Sequence, residues 1–126
     1  VMVGLVLVAH SAGLAEETAA LARGIAGAST PVAAAGGTED GGLGTSVDLV
    51  ERAMRAADQG DGLVLIADLG SSVLTARLVE EPGRAVLADV PFVEGAIAAA
   101  VAASAGLPLD AVLEAAEEAR GFRKLR

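Results

Sequence analysis

The chain has 126 residues, of which 17 are acidic and 9 basic, for a net charge of −8; over half of it is apolar, yet only Phe92 and Phe122 are aromatic. That charge sets the chain against nucleic-acid backbones and anionic membrane surfaces, which would repel it. With no cysteine, disulfides and thiolate metal sites are excluded, and a single histidine speaks against a zinc site. The length suits one domain, residues 1–126, whose core must be built from Val, Leu, Ile and Ala. No apolar run reaches a membrane span and no signal-peptide pattern precedes the first strand, so a cytoplasmic protein is expected.

The first element is Val3 to Ala9, an apolar run that ends on the only histidine, His10. Such a run reads as a strand buried on both faces, in the middle of a parallel sheet. A turn at Ser11 leads into a helix from Leu14 to Ala26, with Leu14, Leu21 and Ile25 as its expected apolar face and Gly27 as its end. Pro31 to Ala35 reads as a weaker strand. Five glycines between Gly36 and Ser46 make that segment a loop. The next helix has Val47, Val50, Met54 and Ala57 on one face, with Ser46 as N-cap and Asp48 in its first turn. Leu63 to Ala67 is a second buried strand, followed by a helix from Ser72 to Glu81 that Pro82-Gly83 stops. A strand from Arg84 to Ala88 and helices from Val93 to Ala103 and Leu109 to Arg120 complete the chain. The tail Gly121 to Arg126, with Arg123, Lys124 and Arg126, reads as a frayed end. Strand and helix alternate, so the fold class is α/β: one domain, with a mainly parallel central sheet flanked by helices.

Open α/β sheets do their chemistry at the carboxyl ends of their strands. His10 stands there, among small neighbours that leave it accessible. Free imidazole titrates near neutrality, so a neutral, nucleophilic fraction is available. A helix starts just after it, and helix N-termini hold phosphoryl oxygens. His10 is therefore read as a phosphoryl-carrying nucleophile; the plain alternative is a hydrogen-bonded histidine at a strand end. Asp68 ends the second buried strand and can hold one ring nitrogen, as the acid of a catalytic triad does, or else cap the following turn. Hydroxyls and amides at Ser11, Thr38, Thr45, Ser46, Gly70, Ser71 and Ser72 are the candidate phosphoryl ligands, against an ordinary role in turns. The glycine loop is no nucleotide P-loop, because no lysine follows it. Serine hydrolysis by Ser71 or Ser72 ranks lower, since no Gly-x-Ser-x-Gly elbow is present.

Four segments together carry a resemblance over nearly the whole chain: Gly4-Leu5-Val6-Leu7-Val8-Ala9-His10-Ser11, the loop Gly36 to Ser46, Asp68-Leu69-Gly70-Ser71-Ser72, and Pro91-Phe92-Val93-Glu94-Gly95-Ala96. The chain resembles the mannose-type enzyme IIA domains of the phosphoenolpyruvate-dependent phosphotransferase system. The long glycine-rich loop points to the branch that serves dihydroxyacetone kinases (DhaM type). The resemblance implies a catalytic pair, His10 as the phosphorylated nucleophile and Asp68 orienting it. It implies phosphoryl transfer from HPr to ADP on the DhaL subunit, with DhaK as a third chain, and a homodimer. No metal or cofactor is expected on this chain; ADP or ATP and magnesium belong to the partner subunit. Thr75 and Arg77 depart from the Asn and Glu often found in the family. The competing readings are a IIA domain that feeds a IIB domain for sugar uptake and a non-catalytic regulatory module.

Overall fold

The structure is a computed structural model and describes residues 1–125. Four strands, β1 (Gly4–Ala9), β2 (Val32–Gly36), β3 (Leu63–Ala67) and β4 (Ala85–Leu87), form one sheet of order β2-β1-β3-β4 with every pair parallel. Between and after them run α1 (Ala12–Ala26), α2 (Val47–Ala57), α3 (Gly70–Arg77), α4 (Phe92–Ser104) and α5 (Leu109–Glu118), closed by a 3-10 turn at Ala119–Gly121. β1 lies in the middle and is buried throughout, as a run without polar residues requires.

Alternation along β1 feeds two cores. Leu5 and Leu7, with Val64 and Ile66 of β3, point to the layer of α1, α4 and α5. Val6 and Val8, with Leu63 and Leu65, point to α2 and α3. The chain runs one way from β1 to β2 and the other way from β2 to β3 and β4. Right-handed crossovers then place α1 on one face and α2 and α3 on the other. The reversal leaves a crevice beyond the carboxyl ends of β1 and β3, the place where such sheets bind ligands.

The structure corrects two expectations about helices. On α1 the buried residues are Ala15, Thr18, Ala19 and Ala22, whereas Leu14, Leu21 and Ile25 are 41%, 48% and 57% exposed. The helix packs on α4 and the sheet through alanines, because only small side chains permit that approach; α4 answers with Ala96, Ala99, Ala100 and Ala103. The α3 helix starts at Gly70 and ends at Arg77, short of Glu81. Glu80 and Glu81 serve β4 instead: the Glu80 carboxylate accepts from Leu87 N–H (3.0 Å) and Glu81 pairs with Ala85. That blunts one sheet edge, and Arg23, bonded to the Val32 carbonyl, blunts the other. The C-terminal tail is tied down in part, since Lys124 Nζ lies 2.7 Å from Glu94 Oε2; Arg126 falls outside the described residues.

Two substitutions test this packing. A Cβ on Gly4 would overlap the Ala57 carbonyl oxygen and the Leu63 side chain. Gly4→Ala is therefore expected to lower unfolding free energy by about 1–3 kcal/mol in urea titrations. Thr30 is buried, and its hydroxyl has no hydrogen-bond partner among the described residues. Thr30→Val keeps the shape and removes an unsatisfied group, so a gain of about 1 kcal/mol is expected in the same titration.

Candidate functional site

The strand pairing brings His10 and Asp68 together. Val8 pairs with Ala67, and Asp68 N–H continues the ladder by donating to the Val8 carbonyl at 3.1 Å. Both chains then leave the sheet side by side. His10 N–H donates to Asp68 Oδ2 (3.0 Å), and the His10 carbonyl accepts from Gly44 N–H in the glycine loop (2.9 Å). The histidine backbone is thus fastened on both sides before its ring makes any contact. Behind it, a Cβ on Gly36 would strike the Ser11 carbonyl and Ala12, so the end of β2 presses directly on the β1–α1 junction.

The ring has two distinct sides. Nδ1 lies 3.0 Å from Asp68 Oδ1, 3.3 Å from Oδ2 and 3.1 Å from Ser72 Oγ. Nε2 points the other way and is hydrogen-bonded to the Ser71 hydroxyl. The histidine side chain is 25% exposed, the Asp68 side chain 7%. Burial pushes the Asp68 carboxyl up, but donation from the Ser72 hydroxyl, the His10 backbone N–H, the ring and Leu69 N–H outweighs it, and the net displacement is downward. Asp68 is therefore a carboxylate at neutral pH. A carboxylate only accepts, so it favours a proton on Nδ1 and a lone pair on Nε2. Leu69, the N-cap of α3, has no capping side chain, and Ser71, which meets Nε2, stands in the first turn of that helix.

The other candidate ligands are placed less centrally. Ser11 Oγ caps α1 by accepting from Leu14 N–H at 3.3 Å. The Thr38 hydroxyl donates to Asp40 and accepts from Gly42 N–H, inside the loop. Thr45 Oγ1 lies 2.6 Å from Thr75 Oγ1, which clasps the loop to α3. Ser46 caps α2 as expected, accepting from Leu49 N–H, and donates to Glu39. Of the seven positions, Ser71 and Ser72 touch the ring and Gly70 opens the helix next to it. Arg77 pairs with Glu80 at 3.4 Å.

Sequence reasoning missed two features. The Gly44 bond to His10 is a backbone contact, and no side-chain pattern signals it. The other is a set of exposed leucines near the site: Leu43 and Leu69, 83% and 61% exposed, each adjoin a residue bonded to the histidine or its aspartate.

A family model described as "EIIA-man: PTS system fructose IIA component" matches residues 4–113. The chain belongs to the mannose-type IIA family. Among curated relatives it is 34% identical over 117 residues to the phosphotransferase subunit DhaM of a PTS-dependent dihydroxyacetone kinase from Lactococcus lactis, covering 91% of this chain and 94% of that one. It is 35% identical over 127 residues to the phosphoryl donor subunit DhaM from Pantoea ananatis, covering 94% of this chain but 27% of the relative. The chain thus spans about a quarter of that longer relative. Among solved structures, a protein of unknown function, EF1359, superposes with a TM-score of 0.85 at 28% identity, and the full length of both chains is covered. The mannose/sorbose-specific IIA subunit from Enterococcus faecalis gives 0.70 at 20% identity, over all of this chain and 96% of that one, which shows the shared fold.

In this IIA domain the Asp68 carboxyl titrates below its ordinary range of about 3.9. A group whose pKa is depressed on folding stabilises the protein above the unfolded value and loses that contribution as pH falls through the folded one. Asp68→Asn is expected to lower the urea midpoint at pH 7 and to converge on the parent at an acid pH below the depressed folded value. An equal deficit at both pH values would show that the carboxylate charge is not the source.

Proposed function

We propose that this protein is the phosphoryl donor subunit of a dihydroxyacetone kinase, accepting a phosphoryl group from HPr on His10 and passing it to ADP held by DhaL. The observation that carries this reading is the two-sided ring: Nδ1 locked against a carboxylate, Nε2 turned outward beside a helix N-terminus.

Phosphoryl transfer asks mainly for positioning and charge stabilisation. The Nε2 lone pair attacks phosphorus in line, the new N–P bond forms as the bond to the donor's imidazole breaks, and that electron pair returns to the donor nitrogen. Nδ1 keeps its proton throughout, so the product ring is an imidazolium that faces Asp68. Ser71, whose hydroxyl holds Nε2 at rest, rotates to donate to a phosphoryl oxygen. The Gly70 and Ser71 backbone N–H groups lie in the first turn of α3 and have no intrahelical acceptor, so they serve the same charge. In the second transfer the phosphoryl leaves to ADP and the ring returns to the neutral Nδ1–H form. This chain supplies neither metal nor nucleotide; magnesium and ADP sit on the partner. DhaK holds the sugar substrate. The protein works in the cytoplasm as a homodimer.

Incubation with phosphoenolpyruvate, enzyme I and HPr should add one acid-labile phosphoryl group, mapped to His10 by mass spectrometry. His10→Ala, which removes a ring a quarter of which is exposed, should remain folded and take no label. A folded His10→Ala protein that still labels would overturn the assignment, as would an unlabelled parent. Transfer from the labelled protein to ADP-loaded DhaL, and none to a sugar-system IIB domain, is the outcome that separates the kinase role from sugar uptake.

A further inference from the structure

Ser72 sits at the third position of α3 and is completely buried, with 0% exposure. A buried hydroxyl needs partners, and the bonds this one makes are both within the histidine–aspartate pair: Asp68 Oδ1 at 2.6 Å and His10 Nδ1 at 3.1 Å. Its neighbour Ser71 is exposed and meets the opposite side of the ring. The two serines therefore do different things.

A hydroxyl has one proton to give and lone pairs to accept with. If the Ser72 proton went to Nδ1, that nitrogen would hold the lone pair, and the outward Nε2 would carry a hydrogen and could not attack phosphorus. With the proton on Asp68 Oδ1, Ser72 can only accept from Nδ1. Nδ1 is then surrounded by three acceptor oxygens, two from Asp68 and one from Ser72. Leu69 N–H and His10 N–H hold the carboxylate from the remaining directions, at 2.8 Å and 3.0 Å, so it cannot turn away from the serine.

We infer that Ser72 is a positioning residue that acts through Asp68: by giving its hydroxyl proton to Oδ1 it fixes the His10 ring as the Nδ1–H tautomer and makes Nε2 the nucleophile. The inference rests on His10 being the phosphoryl acceptor, but its first readout needs no phosphoryl donor.

The test is nitrogen-15 NMR of the single histidine at a pH above the imidazole titration, together with the rate of labelling by phosphorylated HPr. The parent should show the Nδ1–H tautomer alone. Ser72→Ala should show both tautomers and label about tenfold more slowly, as expected for loss of one hydrogen bond to a charged group. Ser72→Cys, a weaker donor of similar size, should behave as Ser72→Ala does, and Ser72→Thr should restore the single tautomer and the rate. A parent ring protonated on Nε2 would overturn the inference without any variant. So would folded Ser72→Ala or Ser72→Cys proteins that keep the single Nδ1–H tautomer, whatever their labelling rate. A parent that gives the expected spectrum yet takes no label would sink the phosphocarrier reading and leave the role of Ser72 standing.

Discussion

The contact between Asp68 and His10 is the constraint to which the rest of the molecule answers. It joins the ends of two neighbouring strands, through both the histidine backbone and its ring. Such a contact forms only if β1 and β3 are adjacent, parallel and in the register that sets Val8 beside Ala67. A slip of one residue would turn every side chain of the strand to the other face and carry the imidazole away from the carboxylate. The two cores enforce the register, because Leu5 and Leu7 fit one layer of helices and Val6 and Val8 the other. Packing energy spread over the sheet is thereby converted into the placement of a single proton.

Much of this was legible in the sequence. The uninterrupted apolar runs before His10 and Asp68 have one physical solution, a central strand covered on both sides, and both residues then fall at the same sheet edge. The capping role of Ser46 and the glycine loop were legible because each depends on local chemistry. What was not legible depends on distance between elements. Leu14, Leu21 and Ile25 are the most hydrophobic residues of α1 and were the natural choice for its inner face. The helix turns its alanines inward instead, since α4 approaches too closely for leucine. Periodicity finds a face but does not weigh side-chain volume against the room available. The end of α3 was missed for a related reason. Residues 78–81 can continue a helix on propensity, but the edge of β4 needs the Glu80 carboxylate and the Glu81 backbone more.

The same close packing leaves apolar side chains outside. Leu43 and Leu69 are tethered next to His10 through Gly44 and Asp68 and are nevertheless open to solvent. Under the proposed phosphocarrier role, in which His10 meets a partner's reactive group, these two leucines are placed at the contact. The sheet edges are treated in the opposite manner, closed by Arg23 at β2 and by Glu80 at β4. Open strand edges invite indiscriminate pairing, whereas isolated apolar side chains on a helix or loop need a shaped partner.

A relay protein must also let go of what it binds. Among the described residues no lysine or arginine is hydrogen-bonded or ion-paired to His10. Arg52 pairs with Glu39, Arg77 with Glu80 and Lys124 with Glu94. The group bonded to Nε2 is a hydroxyl in the first turn of α3, and the nearest full charge is the carboxylate on the far side of the ring. A cationic cradle that bound the carried phosphoryl group as tightly as the transition state would deepen the bound state without speeding its release. Hydroxyls and amides orient the group without holding it at a deep minimum. In the proposed transfer Asp68 stabilises the imidazolium only through Nδ1, away from the bond that must break. The economy of charge around His10 is therefore what the proposed carrier role requires.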